Sequence, residues 1–240
     1  MDTTLYFISQ ALFILISLVS YTWVLKELLA ALAKTSFTPE RKKKIFRWTI
    51  GVLMAWVIFI SLLSISGFIQ DFSTLPPKFF SVLIIPLIGI ISLMFTKTLK
   101  EILLFIPPQN IIRLQSFRIA VEVLLWLLFI QNLLPVQMTF EGRNFDILSG
   151  VSAPIIAHFC FMKKNWSRTA AIVWNLIGIG ILINIVVIAI LSMPTPFRFF
   201  MNEPANTILT YFPFIFLPGL LVPLAYGLHL VSLTQLLHKE

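Results

Sequence analysis

An all-α integral membrane protein, a bundle of seven transmembrane helices with its N-terminus outside and its C-terminus cytoplasmic, is the architecture this sequence predicts. Three observations carry that reading. First, 58% of the 240 residues are hydrophobic, only 12% are charged, and the mean hydropathy is +0.95. A soluble domain carries about a quarter charged residues, and a disordered chain combines low hydrophobicity with high charge. Second, apolar runs of the length that spans a bilayer, about 20 residues, recur along the whole chain. Seven of them with short loops fill residues 1–240 as one polytopic domain. Third, the cations gather on alternate loops, the pattern that fixes membrane orientation.

The seven segments are expected at about 5–33, 45–70, 79–95, 116–136, 146–162, 169–193 and 209–237. The start, Met1-Asp2-Thr3-Thr4, lacks the basic flank of a secretory signal, so the first apolar run is expected to be a retained helix. Between the third and fourth helices, 96–115 mixes Leu103, Leu104, Phe105 and Ile106 with Lys97, Lys100, Glu101 and Arg113, and it contains Pro107-Pro108. It reads as the end of helix three followed by an interfacial connection. The seventh helix carries Pro213, Pro218 and Pro223. No internal repeat is visible.

The loop cations orient the chain. Lys26, Lys34, Arg41, Lys42, Lys43, Lys44, Arg47, Lys97, Lys100, Arg113, Arg118, Lys163, Lys164, Arg168 and Lys239 fall on one side, fifteen of the 18 Lys and Arg. Lys78, Arg143 and Arg198 fall on the other. Cation-rich loops stay cytoplasmic, so an odd number of crossings is expected. The net charge of +8 is then a positive-inside signal with attraction for anionic lipids at the cytoplasmic face, not a nucleic-acid footprint. The expected location is a cell membrane, of the bacterial inner-membrane kind.

Polar residues within the apolar runs are the candidates for function, because a charge at membrane depth is costly and seeks a partner. Arg118 and Glu122 are four apart in helix four, close enough on one face to pair. Asn132 lies near that face, about 21 Å further along. In helix five, Ser149, Ala153 and Ala157 recur every fourth residue and permit close helix approach. His158 follows on the same helix, about 18 Å from Asp146, where it is expected near the depth of Glu122 and could titrate near neutrality. The loop between helices four and five, 137–146, is the densest polar cluster on the outside. Its Glu141 and Arg143 could pair or meet a ligand, Gly142 permits a tight turn with positive φ, and Asn144 or Asp146 is placed to cap helix five. Gln131, Asn132, Asn206 and Tyr211 at similar height would complete an outward vestibule. Asn175 and Asn184, nine apart in helix six, face opposite ways. Pro218-Gly219 is the expected bend, or hinge, of helix seven. His229, near the cytoplasmic end, attracts no role.

Other chemistries lack their residues. There is no HExxH or other metal-spaced histidine pair, no GxSxG elbow, no phosphate-binding glycine loop, no motif for a cofactor, and a single cysteine, Cys160. Enzymatic activity is therefore the least favoured class. A small-solute or ion carrier or channel with a polar cavity between helices four, five and seven is the leading expectation. The alternative is a non-transporting membrane binding or accessory subunit.

Overall fold

The protein is described by a computed structural model covering residues 3–237; Met1, Asp2 and Lys239 lie outside the described residues. Among the described residues every regular element is a helix. Four helices are long and apolar enough to cross a membrane, or five if one sharply bent pair counts as a single span.

The chain opens with a hairpin of two long helices, α1 (Thr3–Lys34) and α2 (Pro39–Ile65). Thr38 caps α2 by accepting the Arg41 N–H, and Pro39 occupies the first turn, where its missing N–H costs nothing. The hairpin is peripheral. Phe7, Leu15, Leu18, Val52 and Leu62 are all exposed, a surface suited to lipid. Its inner stripe on α1 is narrow and recurs at helical spacing: Ser9, Phe13, Ser17 and Ser20. The Ser9 and Ser17 hydroxyls donate to the carbonyls of Leu5 and Phe13 one turn back, so they need no partner from another helix.

α3 (Phe80–Met94) and α4 (Lys97–Leu103) meet at a 77° bend, where Thr96 caps α4 by accepting the Leu99 N–H. The stretch 96–115 is thus not an unstructured connection. It holds α4 and then α5 (Pro108–Leu114), whose Pro108 sits at the helix start. Only Gln115 and Ser116 separate α5 from α6 (Phe117–Ile130). The helical run expected at 116–136 therefore begins at Pro108 and stops at Ile130. Its end is set by Asn132, whose φ of 57° closes the helix: Asn132 N–H donates to Phe129 O and Leu133 N–H to Leu128 O.

A tight turn (Val136–Met138) follows, and residues 139–145 then run without helix alongside α6. Three contacts fix their direction: Glu141 with Trp126, Asn144 with Glu122, and Asp146 with Arg118. This stretch descends about 12 Å of the length of α6 before α7 (Asp146–Ala157) begins, continued by a wider π-turn, His158–Met162. α8 (Arg168–Leu191) is uninterrupted and capped by Ser167. The last helix, α9 (Val222–Leu237), is preceded by a π-turn, Leu217–Leu221. Residues 209–216, expected to be helical, are not part of it. Pro213 and Pro218 lack the N–H a helix needs and bias the residues before them away from the helical conformation.

α6, α7, α8, α9 and α3 form the centre, with α8 and α3 lying against α9 and α7 wedged among α5, α6 and α8. Phe13, Leu125, Leu128, Leu182 and Phe214 anchor the main apolar cluster. At one end, Arg41 bonds Thr98, Ser36 bonds Glu101, and Arg168 and Gln235 tie the start of α8 to α9 and the α4–α5 turn. At the other end lie the Lys78–Asp71 and Arg198–Glu203 pairs and the Asn202–Gln137–Ser192 chain. Lys78 and Ser73 hold the half-buried Asp71 carboxyl down at about 2.

Candidate functional site: a buried polar network

Arg118 stands in the first turn of α6 but, because the helical run starts at Pro108, it is not at the end of that run. It lies about 15 Å along the run and is only 1% exposed. Its guanidinium clamps Asp146 bidentately, Nε to Oδ2 at 2.6 Å and Nη2 to Oδ1. The expected partner was Glu122. The pair forms with Asp146 instead because the non-helical stretch 139–145 carries the start of α7 down to the level of Arg118. Gly150 permits that approach: a Cβ there would lie 2.9 Å from the Ile119 nitrogen on α6.

The third guanidinium edge, Nη1, lies 3.0 Å from His229 Nε2 on α9. Arginine can only donate, so Nε2 accepts, and His229 is the neutral tautomer with its proton on Nδ1. That N–H donates to Asn175 Oδ1 on α8 at 2.9 Å. Asn175 Nδ2 in turn donates to Ser232 Oγ at 3.0 Å and to Ala171 O at 2.8 Å. Gly178 makes room for the imidazole; a Cβ there would come within 2.3 Å of His229 Cε1.

One turn beyond Arg118, Glu122 is equally buried. Its Oε1 accepts from Asn144 Nδ2 at 2.6 Å. Asn144 also donates to Met138 O and accepts the Asp146 N–H, so it holds the first N–H of α7, whose cap residue is Phe145, and braces the non-helical stretch at once. Glu122 Oε2 has no partner among the described residues. The Glu122 side chain forms part of the wall of a cavity of about 70 Å³ between α3, α6, α8 and the start of the last helix. Asn144, Asp146 and Asn206 also line that cavity, with Leu83, Leu125, Leu182, Ile185 and Leu217 as apolar wall. Asn206 donates to Ala189 O at 3.1 Å, and its Oδ1 is likewise unpartnered.

The remaining expected residues lie apart from this cavity or at its edge. His158 is in the π-turn at the far end of α7, edge-on to Phe159. Because α7 starts beside Arg118, one turn past Glu122, His158 falls about 18 Å beyond the Arg118 level and farther still from Glu122. Asn132 is the exposed cap of α6. Glu141 and Arg143 do not pair. Glu141 accepts from Trp126 Nε1 at 2.6 Å, and Arg143 lies over the Phe200 ring. The 136–144 loop is a compact turn in which a Cβ on Gly142 would meet Val136 O at 2.2 Å. Gln131 bonds Ser9 and Tyr211 is exposed, so no vestibule of those residues assembles. Asn184 faces away from Asn175 and donates to Arg143 O. Pro218 lines the cavity wall, and Gly219 packs against Ile60 and Val82. Pro223 lacks the N–H that an ordinary helical turn would aim at Gly219 O, and Trp56 Nε1 from α2 donates to that oxygen at 2.8 Å. Tyr21 donates to the neighbouring Leu220 O.

A family model described as Domain of unknown function (DUF8737) matches residues 76–237. The chain belongs to this family. No curated protein and no solved structure matches the chain. The DUF8737 segment spans α3 to α9. It includes every member of the Arg118 network and most of the apolar core, and it leaves out the α1–α2 hairpin.

Sequence reasoning missed His229 and the partnership of Asp146 with Arg118. A faint signal for the first was present. Asn175 and Gly178 on one helix, and His229 and Ser232 on another, are each three apart and so share a face. That pattern offers an imidazole, an amide, a hydroxyl and a gap to hold the ring.

Proposed function

We propose that this DUF8737 protein is a small-solute carrier of a cell membrane, of the bacterial inner-membrane kind, crossing it seven times with N-terminus outside and C-terminus cytoplasmic. The crossings would be α1, α2, α3 with α4, α5 with α6, the stretch 139–162, α8, and the last helix from Leu217. α5 and α6 together rise about 34 Å, enough for a bilayer core of about 30 Å. The clustering of Arg41, Lys97, Lys100, Lys164 and Arg168 at one end supports the orientation. Cysteines placed one at a time at Ser36 and Glu203 test it; labelling of both from one face would overturn the odd count.

The observation that carries the carrier reading is the Glu122 Oε2 atom, buried without a partner beside a cavity where one span is broken. Irregular backbone at membrane depth is tolerated where it is buried in protein or lines a cavity, and broken helices are a recurrent way of building solute sites at mid-membrane. Solute or proton flux into reconstituted vesicles should fall about tenfold or more in Glu122→Gln. Equal flux in both proteins would end the role of Glu122.

A second reading, a non-transporting binding or accessory subunit, is favoured by the outer side of the site. There Gln137, Ser192 and Asn202 close on one another, and Asn184 ties α8 to the 136–144 loop. Absence of any flux together with an intact fold would favour it. At the opposite end a cleft of about 750 Å³ combines Lys100, Lys164 and Arg168 with Leu103, Leu104 and Phe161. That mixture suits an anionic lipid, headgroup on the cations and chain on the apolar wall.

A further inference from the structure

The cavity beside Glu122 has a chemical bias that narrows its ligand. The deeply buried charged residues are Arg118, Asp146 and Glu122. Arg118 is matched by Asp146 through two parallel bonds, and its remaining edge meets a neutral imidazole. An ionised Glu122 is therefore the surplus charge, a negative one, and a bound cation holds it in that form. No element packed around it offers a second cation: α6 presents Arg118 alone, α7 presents Asp146, α9 presents His229 and the phenol Tyr226, and among the described residues lining the cavity none is Lys, Arg or His.

Two residues of the wall, Glu122 and Asn206, each carry a side-chain oxygen without a partner, Oε2 and Oδ1, and a carboxylate or amide oxygen accepts. The rest of the wall is chiefly apolar. An inorganic cation suits this poorly, because Na⁺-like and Ca²⁺-like ions need a shell of several oxygens. Water satisfies acceptors but leaves the charge unmatched. The space, about 70 Å³ against roughly 10–15 Å³ for one water, admits a handful of heavy atoms.

We infer that this cavity binds a small alkylammonium ion, a protonated primary amine whose ammonium group turns to the Glu122 carboxylate and whose short alkyl body lies against Leu182, Ile185 and Leu217. The inference names the ligand class of the site proposed above and rests on that site, not on transport across the membrane.

Equilibrium binding to the purified full chain in lipid nanodiscs tests it, with n-propylammonium as probe. n-Propanol keeps the shape and loses the charge, tetramethylammonium keeps the charge and loses the N–H donors, and sodium chloride controls for charge alone. Saturable n-propylammonium binding is expected, with each of the other probes weaker by about tenfold or more, the usual worth of a charge-assisted bond. Glu122→Gln should weaken n-propylammonium by a similar factor. Val186→Phe, which fills the cavity and leaves the carboxyl in place, should abolish binding, and it decides the matter if Glu122→Gln does not fold. Equal binding of n-propanol, undiminished binding in folded Glu122→Gln or Val186→Phe, or no n-propylammonium binding at all would overturn the inference. Ammonium binding without flux would uphold it and sink the carrier reading. Glu122-dependent flux of a proton or another solute without ammonium binding would do the reverse.

Discussion

The α1–α2 hairpin and the segment 76–237 meet the same solvent by opposite means. In the hairpin the most apolar windows are only 22% and 11% buried, whereas in the last helix the figure is 56%. The hairpin is unbroken, so its backbone is satisfied within each helix and its faces are free to meet lipid. The family segment is repeatedly interrupted, at the α3–α4 bend, along 139–145, and at the π-turns before α9 and after α7. Interruptions at membrane depth expose backbone or polar side chains that hydrocarbon cannot solvate; neighbouring protein covers the π-turn before α9 and Asn144 with Asp146, whereas the α3–α4 bend at Phe95 and Thr96 is exposed. The hairpin takes part in that cover through Trp56 and Tyr21, which donate to the π-turn carbonyls. Regular helix, then, buys lipid exposure, and broken helix demands neighbours.

The strongest way to break this comparison is to strand a charge in the family segment. Arg118→Met leaves Asp146 buried and unpaired and should destabilise by about 3–5 kcal/mol. Arg118→Met with Asp146→Leu should recover most of that loss. Unfolding midpoints in mixed micelles measure both, and a double variant as unstable as the single one would show that pairing is not the cause. Next in size, Gly178→Ala drives a methyl into the His229 ring and should cost about 1–3 kcal/mol. Gly180→Ala, where a Cβ meets open space, serves as its control on the same helix and should be neutral within about 0.5 kcal/mol.

Smaller effects sharpen the role of the hairpin. Trp56→Phe removes the donor to Gly219 O and should cost about 1 kcal/mol. Leu18→Ala and Leu62→Ala, on the lipid-facing side, should stay within about 0.5 kcal/mol. If all three cost the same, the hairpin is not divided into a bonding face and a lipid face. The smallest effect is expected at the solvent-accessible, half-buried Asp71–Lys78 pair. The folded carboxyl sits at about 2, below its ordinary 3.8, so what the pair contributes is present above pH 4 and lost as pH falls toward 2. Asp71→Asn should differ slightly from the parent at neutral pH and not at all below pH 2, and salt should shrink the difference.

Particular residues show where sequence reading succeeded and where it ended. Asn175 and Asn184 were expected on opposite faces of one helix and they are, because helical phase is a local property. Gly142 was expected to turn at positive φ and Asn144 or Asp146 to cap helix five; Gly142 instead lets the chain pass close to Val136 O without a positive φ, and the cap position falls to Phe145, with Asn144 accepting the next N–H. Arg118 and Glu122 were recognised as the costly pair of helix four, but not their separate partners. Those depended on Pro108 starting the helix early and on the chain re-entering beside α6, and neither is encoded in spacing. His229 was passed over because its assigned depth placed it at an interface. Only the crossing of α6, α8 and α9 brings Arg118 to one ring nitrogen and Asn175 to the other.

By itself, then, the amino-acid order determined an all-helical chain suited to lipid, its apolar segments, and the gathering of cations at one end. These follow from composition, from 3.6-residue periodicity and from the cost of moving charge across hydrocarbon, all of which act along the chain. The bond from Arg118 to Asp146, the neutral His229 and the open oxygen of Glu122 were decided only in three dimensions. A buried polar group is stabilised by whichever partner packing delivers, and here that partner comes from a stretch of chain with no helical phase to extrapolate.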